Sequence, residues 1–194
     1  MVKIIGLHGI ITSGKRGFER GLLHELEYKH GWLTYHPHYR ILPLLGYFSF
    51  FRKMYVKRVL RNFVDGDHIL AHSAGCSITY WVLEELQKTG RRAGTIWFLN
   101  AALDRKIVFP SGTYEHIYNL HEDDDHVLTL SKILPFHIFG GMGKDGYKGN
   151  SANVTNVTNI VPKYTETFLR HTDFFKSPAK EQLCKLITDS ISKK

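Results

Sequence analysis

The chain has 194 residues, 43% of them hydrophobic, and a net charge of +8, values that are ordinary for one soluble globular domain spanning residues 1–194. No stretch approaches the ~18 to 20 consecutive apolar residues of a membrane span, and two cysteines, Cys76 and Cys184, are too few for a disulfide framework. The first residues lack a secretory signal pattern, so we expect a cytoplasmic protein, and the positive charge alone does not separate a polyanion-binding protein from a merely soluble one.

Strand and helix patterns alternate along the chain. Short apolar runs typical of strands occur at Lys3 to His8, Trp32 to His36, His68 to His72, Thr95 to Leu99, His116 to Leu120 and Asn156 to Val161. Helical periodicity occurs at about Gly17 to His30, Pro43 to Val64, Ala74 to Lys88, Val127 to Leu134 and Ala179 to Ile191. The glycine-rich stretch from Phe139 to Ser151 is expected to be a loop. This alternation predicts an α/β fold, a three-layer sandwich whose mostly parallel sheet of about six strands carries helices on both faces.

The strongest local signal is the sequence Ala71-His72-Ser73-Ala74-Gly75, which lies between a predicted strand and a predicted helix. This is the setting of a nucleophile elbow, in which small residues two positions before and after the serine allow a sharp turn. Such a turn lifts the Ser73 hydroxyl above the sheet and leaves the Ala74 N–H free to meet an oxyanion. The usual motif has glycine at the position of Ala71. The alternative is an N-cap serine that begins an ordinary helix.

A nucleophilic serine needs a base, and the base needs an acid that orients it. His171 lies after the last predicted strand and before the last helix, which is the place that the base requires. The run from Glu122 to Asp125 follows the preceding strand. Within it we favour Asp125, which comes two residues before the next predicted helix, then Asp124, then Asp123. The alternatives are a solvated loop histidine and an acidic helix cap.

The second oxyanion donor is expected in the turn after the first strand. Gly9 permits a tight turn there, which points the following backbone N–H groups into the site. The N–H of Ile10 is our candidate, and that of Ile11 is the fallback. His8 either orients this loop or is a structural histidine.

Taken together, these segments resemble the α/β-hydrolase superfamily, and more narrowly the small hydrolases found in bacteria and their phages. The matching segments span nearly the whole chain and are Leu7-His8-Gly9, Ala71-His72-Ser73-Ala74-Gly75, Asn100-Ala101-Ala102-Leu103-Asp104, Asp125-His126-Val127-Leu128 and His171-Thr172-Asp173-Phe174. A chain of this length has little room for a lid domain, so we expect a compact fold with an open cleft. The resemblance implies a serine esterase that cleaves a small ester-like substrate through Ser73, His171 and Asp125 and an acyl-enzyme intermediate. No cofactor, metal or nucleic-acid partner is expected, and a catalytically silent binding protein of the same fold is the alternative.

Two other patterns suggest different ligands. The segment from Gly9 to Arg16 nearly matches the phosphate-binding loop G-x-x-x-x-G-K-[ST], but Arg16 replaces the hydroxyl residue that binds Mg²⁺, so an NTPase is a less favoured alternative. A metal site is a further alternative, since nitrogen and oxygen ligands occur close together at His121, Asp123, Asp125 and His126. Such a run is more often a solvated loop.

The segment from residue 48 to 63 combines cationic and apolar side chains. Its cations are Arg52, Lys53, Lys57, Arg58 and Arg61, and its apolar members are Phe48, Phe50, Phe51, Tyr55, Val59, Leu60 and Phe63. We interpret it as a helix that covers the sheet and keeps its charged face in water. The alternatives are a weak contact with an anionic membrane or a lipid-like substrate, and a nucleic-acid patch.

Overall fold

A computed structural model describes residues 1–9, 18–37, 49–123, 140–158, 160 and 172–192. Six strands form one sheet: β1 (Lys3–Leu7), β2 (Leu33–Tyr35), β3 (His68–His72), β4 (Thr95–Leu99), β5 (His116–Leu120) and β6 (Val154–Val157). The strands lie in the order β2-β1-β3-β4-β5-β6, and each neighbouring pair is parallel. The predicted parallel sheet of about six strands is therefore confirmed.

Parallel strands need long connections; helices lie in most of them, whereas a loop without a helix joins β4 to β5. The helices are α1 (Phe18–His30), α2 (Ser49–Leu60), α3 (Gly75–Lys88), α4 (Met142–Asp145) and α5 (Ala179–Ser192), together with a 3₁₀ helix at Asp173–Phe175. The short α4 lies inside the stretch that the glycine content led us to expect as a loop. The helix predicted over Val127 to Leu134 and the first part of the one predicted from Pro43 lie outside the described residues.

Strand β6 begins two residues earlier than predicted and ends at Val157 rather than Val161. It pairs with β5 from Ile117 opposite Val154 to Leu120 opposite Val157. As the last strand of the sheet it exposes polar side chains, so its apolar pattern is too weak to locate its ends.

Two apolar cores flank the sheet because successive side chains of a strand point to opposite faces. Along β3, Ile69 and Ala71 face one core and Leu70 faces the other. The first core is covered by α2 and α3, and its helical members include Tyr55, Val59, Ile78, Val82 and Leu86. The second is covered by α1 and α5, through Leu22, Leu23, Leu26, Leu183 and Ile187. Helices on both faces confirm the three-layer arrangement. Among the described residues, no helix is both long and apolar enough to cross a membrane.

The strand order reverses between β1 and β3. The chain passes from β1 to β2 on one side and returns to add β3 on the other side of β1. In open parallel sheets a ligand crevice forms at the carboxyl ends of the strands at such a switch point. The loops that leave these two strands begin at His8 and Ser73, so the sheet topology brings both candidate loops to one place.

Candidate active site

Ser73 is the first residue after β3, and its backbone φ of 55° lies in the left-handed region. A residue with a side chain adopts this conformation at a cost of about 1–2 kcal/mol. Three backbone hydrogen bonds hold the turn: Ser73 N–H donates to the Leu99 carbonyl (2.9 Å), and the Ser73 carbonyl accepts from the N–H groups of Cys76 (3.1 Å) and Ala102 (3.3 Å). A strained residue that its surroundings hold in place is typical of a functional site.

Two glycines let neighbouring backbone segments meet at this turn. A Cβ on Gly75 would lie 2.2 Å from the Leu7 carbonyl oxygen, so α3 can begin against the end of β1 only with glycine there. A Cβ on Gly9 would lie 2.9 Å from the Ser73 Cβ and 3.3 Å from its Oγ. The loop after β1 therefore lies directly against the Ser73 side chain. The other small position of the motif, Ala71, is fully buried yet accommodates its methyl group.

Ala74 follows Ser73 at the start of α3, with φ −64° and ψ −19°. The first N–H groups of a helix have no partner within the helix, and the Ala74 N–H donates no hydrogen bond to any residue that the structure describes. The oxyanion role of this N–H group stays a prediction. The other predicted donor, Ile10, and its fallback Ile11 lie outside the described residues.

The structure describes eight of the 12 histidines. The eight are His8, His24, His30, His36, His68, His72, His116 and His121. His8 Nδ1–H donates to the Gly9 carbonyl (2.8 Å), and this hydrogen bond stabilises the start of the loop after β1. The predicted base, His171, lies outside the described residues.

The turn that follows position 171 packs close to the serine. Phe175, at the end of the 3₁₀ helix, meets the ring of His72 edge to face, with 5.2 Å between ring centroids. The turn is closed by the Phe175 N–H, which donates to the Thr172 carbonyl (3.1 Å), and by Lys176 Nζ, which donates to the buried Asp173 carboxylate (2.7 Å). The chain just after residue 171 is thus anchored beside the residue that precedes Ser73.

The acidic run begins at the carboxyl end of β5. His121 N–H donates to the Val157 carbonyl (3.1 Å), and Glu122 N–H donates to the Gly143 carbonyl (3.0 Å). The Asp123 side chain is 85% exposed, with its Oδ1 3.7 Å from His121 Nδ1. The order of preference among the three candidate acids stays a prediction. The two favoured acids, Asp125 and Asp124, lie outside the described residues, as does His126 of the alternative metal site.

Neither cysteine competes with Ser73 as a nucleophile. Burial raises the pKa of the Cys184 thiol to about 11, so that thiol stays protonated and unreactive at neutral pH. Cys76 is buried beneath the serine turn, where its thiol donates to the Ala71 carbonyl (3.4 Å).

Sequence reasoning missed the backbone role of Asn100, the residue after β4. Its φ is 46°, it is fully buried, and its N–H donates to the Leu120 carbonyl (3.1 Å). The available signal was the residue type, because asparagine is enriched in left-handed turns.

No protein-family model matches the sequence, and the search of curated proteins found no match. Solved structures do match. With α/β hydrolase domain-containing protein 10 from mouse, the TM-score is 0.64 at 11% identity, and the alignment covers 98% of this chain and 90% of that one. A candidate cell surface hydrolase from Lactobacillus plantarum WCFS1 has a TM-score of 0.55 at 12% identity over 100% of this chain and 92% of its own. An extracellular α/β-hydrolase from a Paenibacillus species has a TM-score of 0.52 at 14% identity over 98% and 99%.

At these identities the similarity establishes a shared fold, and function has to be argued from the site. Each of the three alignments covers nearly the whole of both chains. The chain therefore has the α/β-hydrolase fold that its sequence motifs predict.

Proposed function

We propose that the protein is a serine hydrolase that cleaves carboxylic esters with Ser73 as its nucleophile. The observation that carries the proposal is the left-handed backbone of Ser73 at the carboxyl edge of the sheet. The turn sets Ser73 at the switch point between β1 and β3, with its side chain against Gly9 in the loop after β1. The names of the matched structures favour hydrolysis as the reaction class.

His171 is the proposed base. The contact between Phe175 and His72 supports this choice, because it holds the chain that follows position 171 next to the serine turn. Asp125 is the proposed acid that orients the His171 imidazole and stabilises its charged form.

In the reaction, His171 removes the Ser73 proton while the oxygen attacks the ester carbonyl. The backbone N–H groups of Ala74 and Ile10 stabilise the oxyanion of the tetrahedral intermediate. His171 then protonates the departing alcohol, which leaves an acyl group on Ser73. Water activated by the same histidine releases the acid and restores the serine.

Covalent labelling by a fluorophosphonate tests the nucleophile. The wild-type protein is expected to gain one adduct by intact-mass spectrometry, located on the peptide that contains Ser73. Ser73→Ala should lose the adduct and lower kcat for p-nitrophenyl butyrate on the order of 10⁶-fold. Ser77→Ala is the matched control, because Ser77 lies one turn further along α3, where its hydroxyl donates to the Ala102 carbonyl (3.2 Å).

The control variant should keep both the adduct and the activity. Labelling or hydrolysis that survives in a folded Ser73→Ala protein would refute the proposal.

A further inference from the structure

An open groove of about 570 Å³ lies along the outer surface of α2. It is lined by six residues of α2 and the turn after it and by one of α3, namely Arg52, Lys53, Val56, Lys57, Leu60, Arg61 and Glu85. These residues do not include any of the proposed catalytic residues. The groove is a separate feature of the surface.

Helical spacing arranges the groove into two rows. Lys53, Lys57 and Arg61 are four residues apart, so they form one row of exposed cations. Val56 and Leu60 lie in the neighbouring row and form an apolar floor. The groove therefore combines three positive charges along one side with aliphatic side chains beneath them.

The three cations of this row differ from neighbouring Arg52 in their ion pairing. Arg52, at the end of the groove, is paired with Glu84 and lies over the Trp81 ring, 5.5 Å from its centroid. By contrast, Lys53, Lys57 and Arg61 form no ion pair with any residue in the described ranges. Like charges four residues apart destabilise a helix, so this row is unfavourable for α2 unless an anion neutralises it.

We propose that this groove binds the surface of a bilayer that contains acidic phospholipids. Phosphate head groups complement the row of Lys53, Lys57 and Arg61, and the apolar floor accepts the glycerol and first methylene groups beneath them. A nucleic acid would supply the same phosphates. However, no aromatic ring on which a base could stack is among the described residues that line the groove, and the aliphatic floor favours lipid.

Vesicle sedimentation tests the proposal with the full chain. The wild-type protein should pellet with phosphatidylcholine vesicles that contain 30% phosphatidylglycerol, remain in solution with pure phosphatidylcholine, and be released by 1 M salt, which screens the charges. Replacing all three cations (K53Q/K57Q/R61Q) should weaken the partition coefficient on the order of 100-fold, at about fivefold for each cation. Ser73→Ala should bind vesicles as the wild type does, because the site is independent of the proposed hydrolase chemistry.

The matched control is K106Q/K148Q/K185Q, which removes three exposed lysines elsewhere and the same total charge. It should retain most of the binding, and circular dichroism should show that both triple variants are folded. Equal losses in the two variants would show a net-charge effect and overturn the assignment to the groove. Failure of the wild type to bind acidic vesicles, or binding to a duplex oligonucleotide in place of vesicles, would overturn the proposal itself.

Discussion

Ser73 and Asn100 occupy equivalent turns on neighbouring strands. Each follows the carboxyl end of its strand, each is buried, and each has a left-handed backbone, with φ values of 55° and 46°. Asparagine and serine differ in how readily they adopt this conformation. Asparagine enters the left-handed region more readily than other residues that carry a side chain, whereas serine is not among the residues enriched there.

The comparison explains why asparagine occurs at position 100 and serine at position 73. At Asn100 the side chain suits the turn, so the demands of the backbone account for the residue type. At Ser73 the backbone alone would favour glycine or asparagine, and a hydroxyl stands there against that preference. The difference therefore supports a chemical role for Ser73 and a structural one for Asn100.

The largest expected effect is a loss of kcat on replacing the acid proposed to act with Ser73. Asn100 has no such proposed partner. Asp125→Asn should lower kcat for p-nitrophenyl butyrate by about 10⁴, because in the proposed triad the His171 imidazole would lose the partner that sets its tautomer. Asp123→Asn should leave kcat nearly unchanged, since the Asp123 side chain is 85% exposed. A large loss in Asp124→Asn with none in Asp125→Asn would move the acid by one residue. Full activity in both would contradict the triad.

A smaller effect is expected where α3 meets β1. Gly75→Ala places a methyl group 2.2 Å from the Leu7 carbonyl oxygen, and overpacking against backbone atoms should reduce the free energy of unfolding by about 1–3 kcal/mol. Gly21→Ala is the control, because no atom lies within 4 Å of the added methyl in α1. That change should raise the stability by about 0.5–1 kcal/mol. Urea unfolding measures both, and equal stability of the two variants would show that the contact at Gly75 is not tight.

The smallest expected effect isolates the backbone of the Ser73 turn. Ser73→Gly and Ser73→Ala both remove the hydroxyl, but only glycine relieves the left-handed strain. Ser73→Gly should therefore unfold at higher urea concentration, with an advantage of about 0.5–1 kcal/mol after the greater entropy of its unfolded chain is included. Asn100→Gly should show no gain over the wild type. If the Ser73→Gly protein is no more stable than the Ser73→Ala protein, the backbone of Ser73 is not strained and the comparison with Asn100 fails.

Much of the fold could be predicted from local patterns. Strands β3, β4 and β5 have the predicted bounds because short buried apolar runs between turn residues leave little freedom in where a strand begins and ends. The predicted ends of β6 were wrong because an edge strand with exposed polar side chains has a weak apolar pattern. The helix α4 was missed because four residues among glycines carry no detectable periodicity.

The sequence by itself determined the order of the elements and the serine between a strand and a helix, since both depend on neighbouring residues. Only the tertiary structure decided that Gly9 lies against Ser73 and Phe175 against His72, because these contacts join segments far apart in the chain. The same holds for the cations of α2, which look alike in sequence. Packing against α3 gives Arg52 a partner in Glu84 and leaves Lys53, Lys57 and Arg61 facing solvent in a row. Local propensity sets where a residue lies along an element, but what it contacts depends on which elements the core brings together.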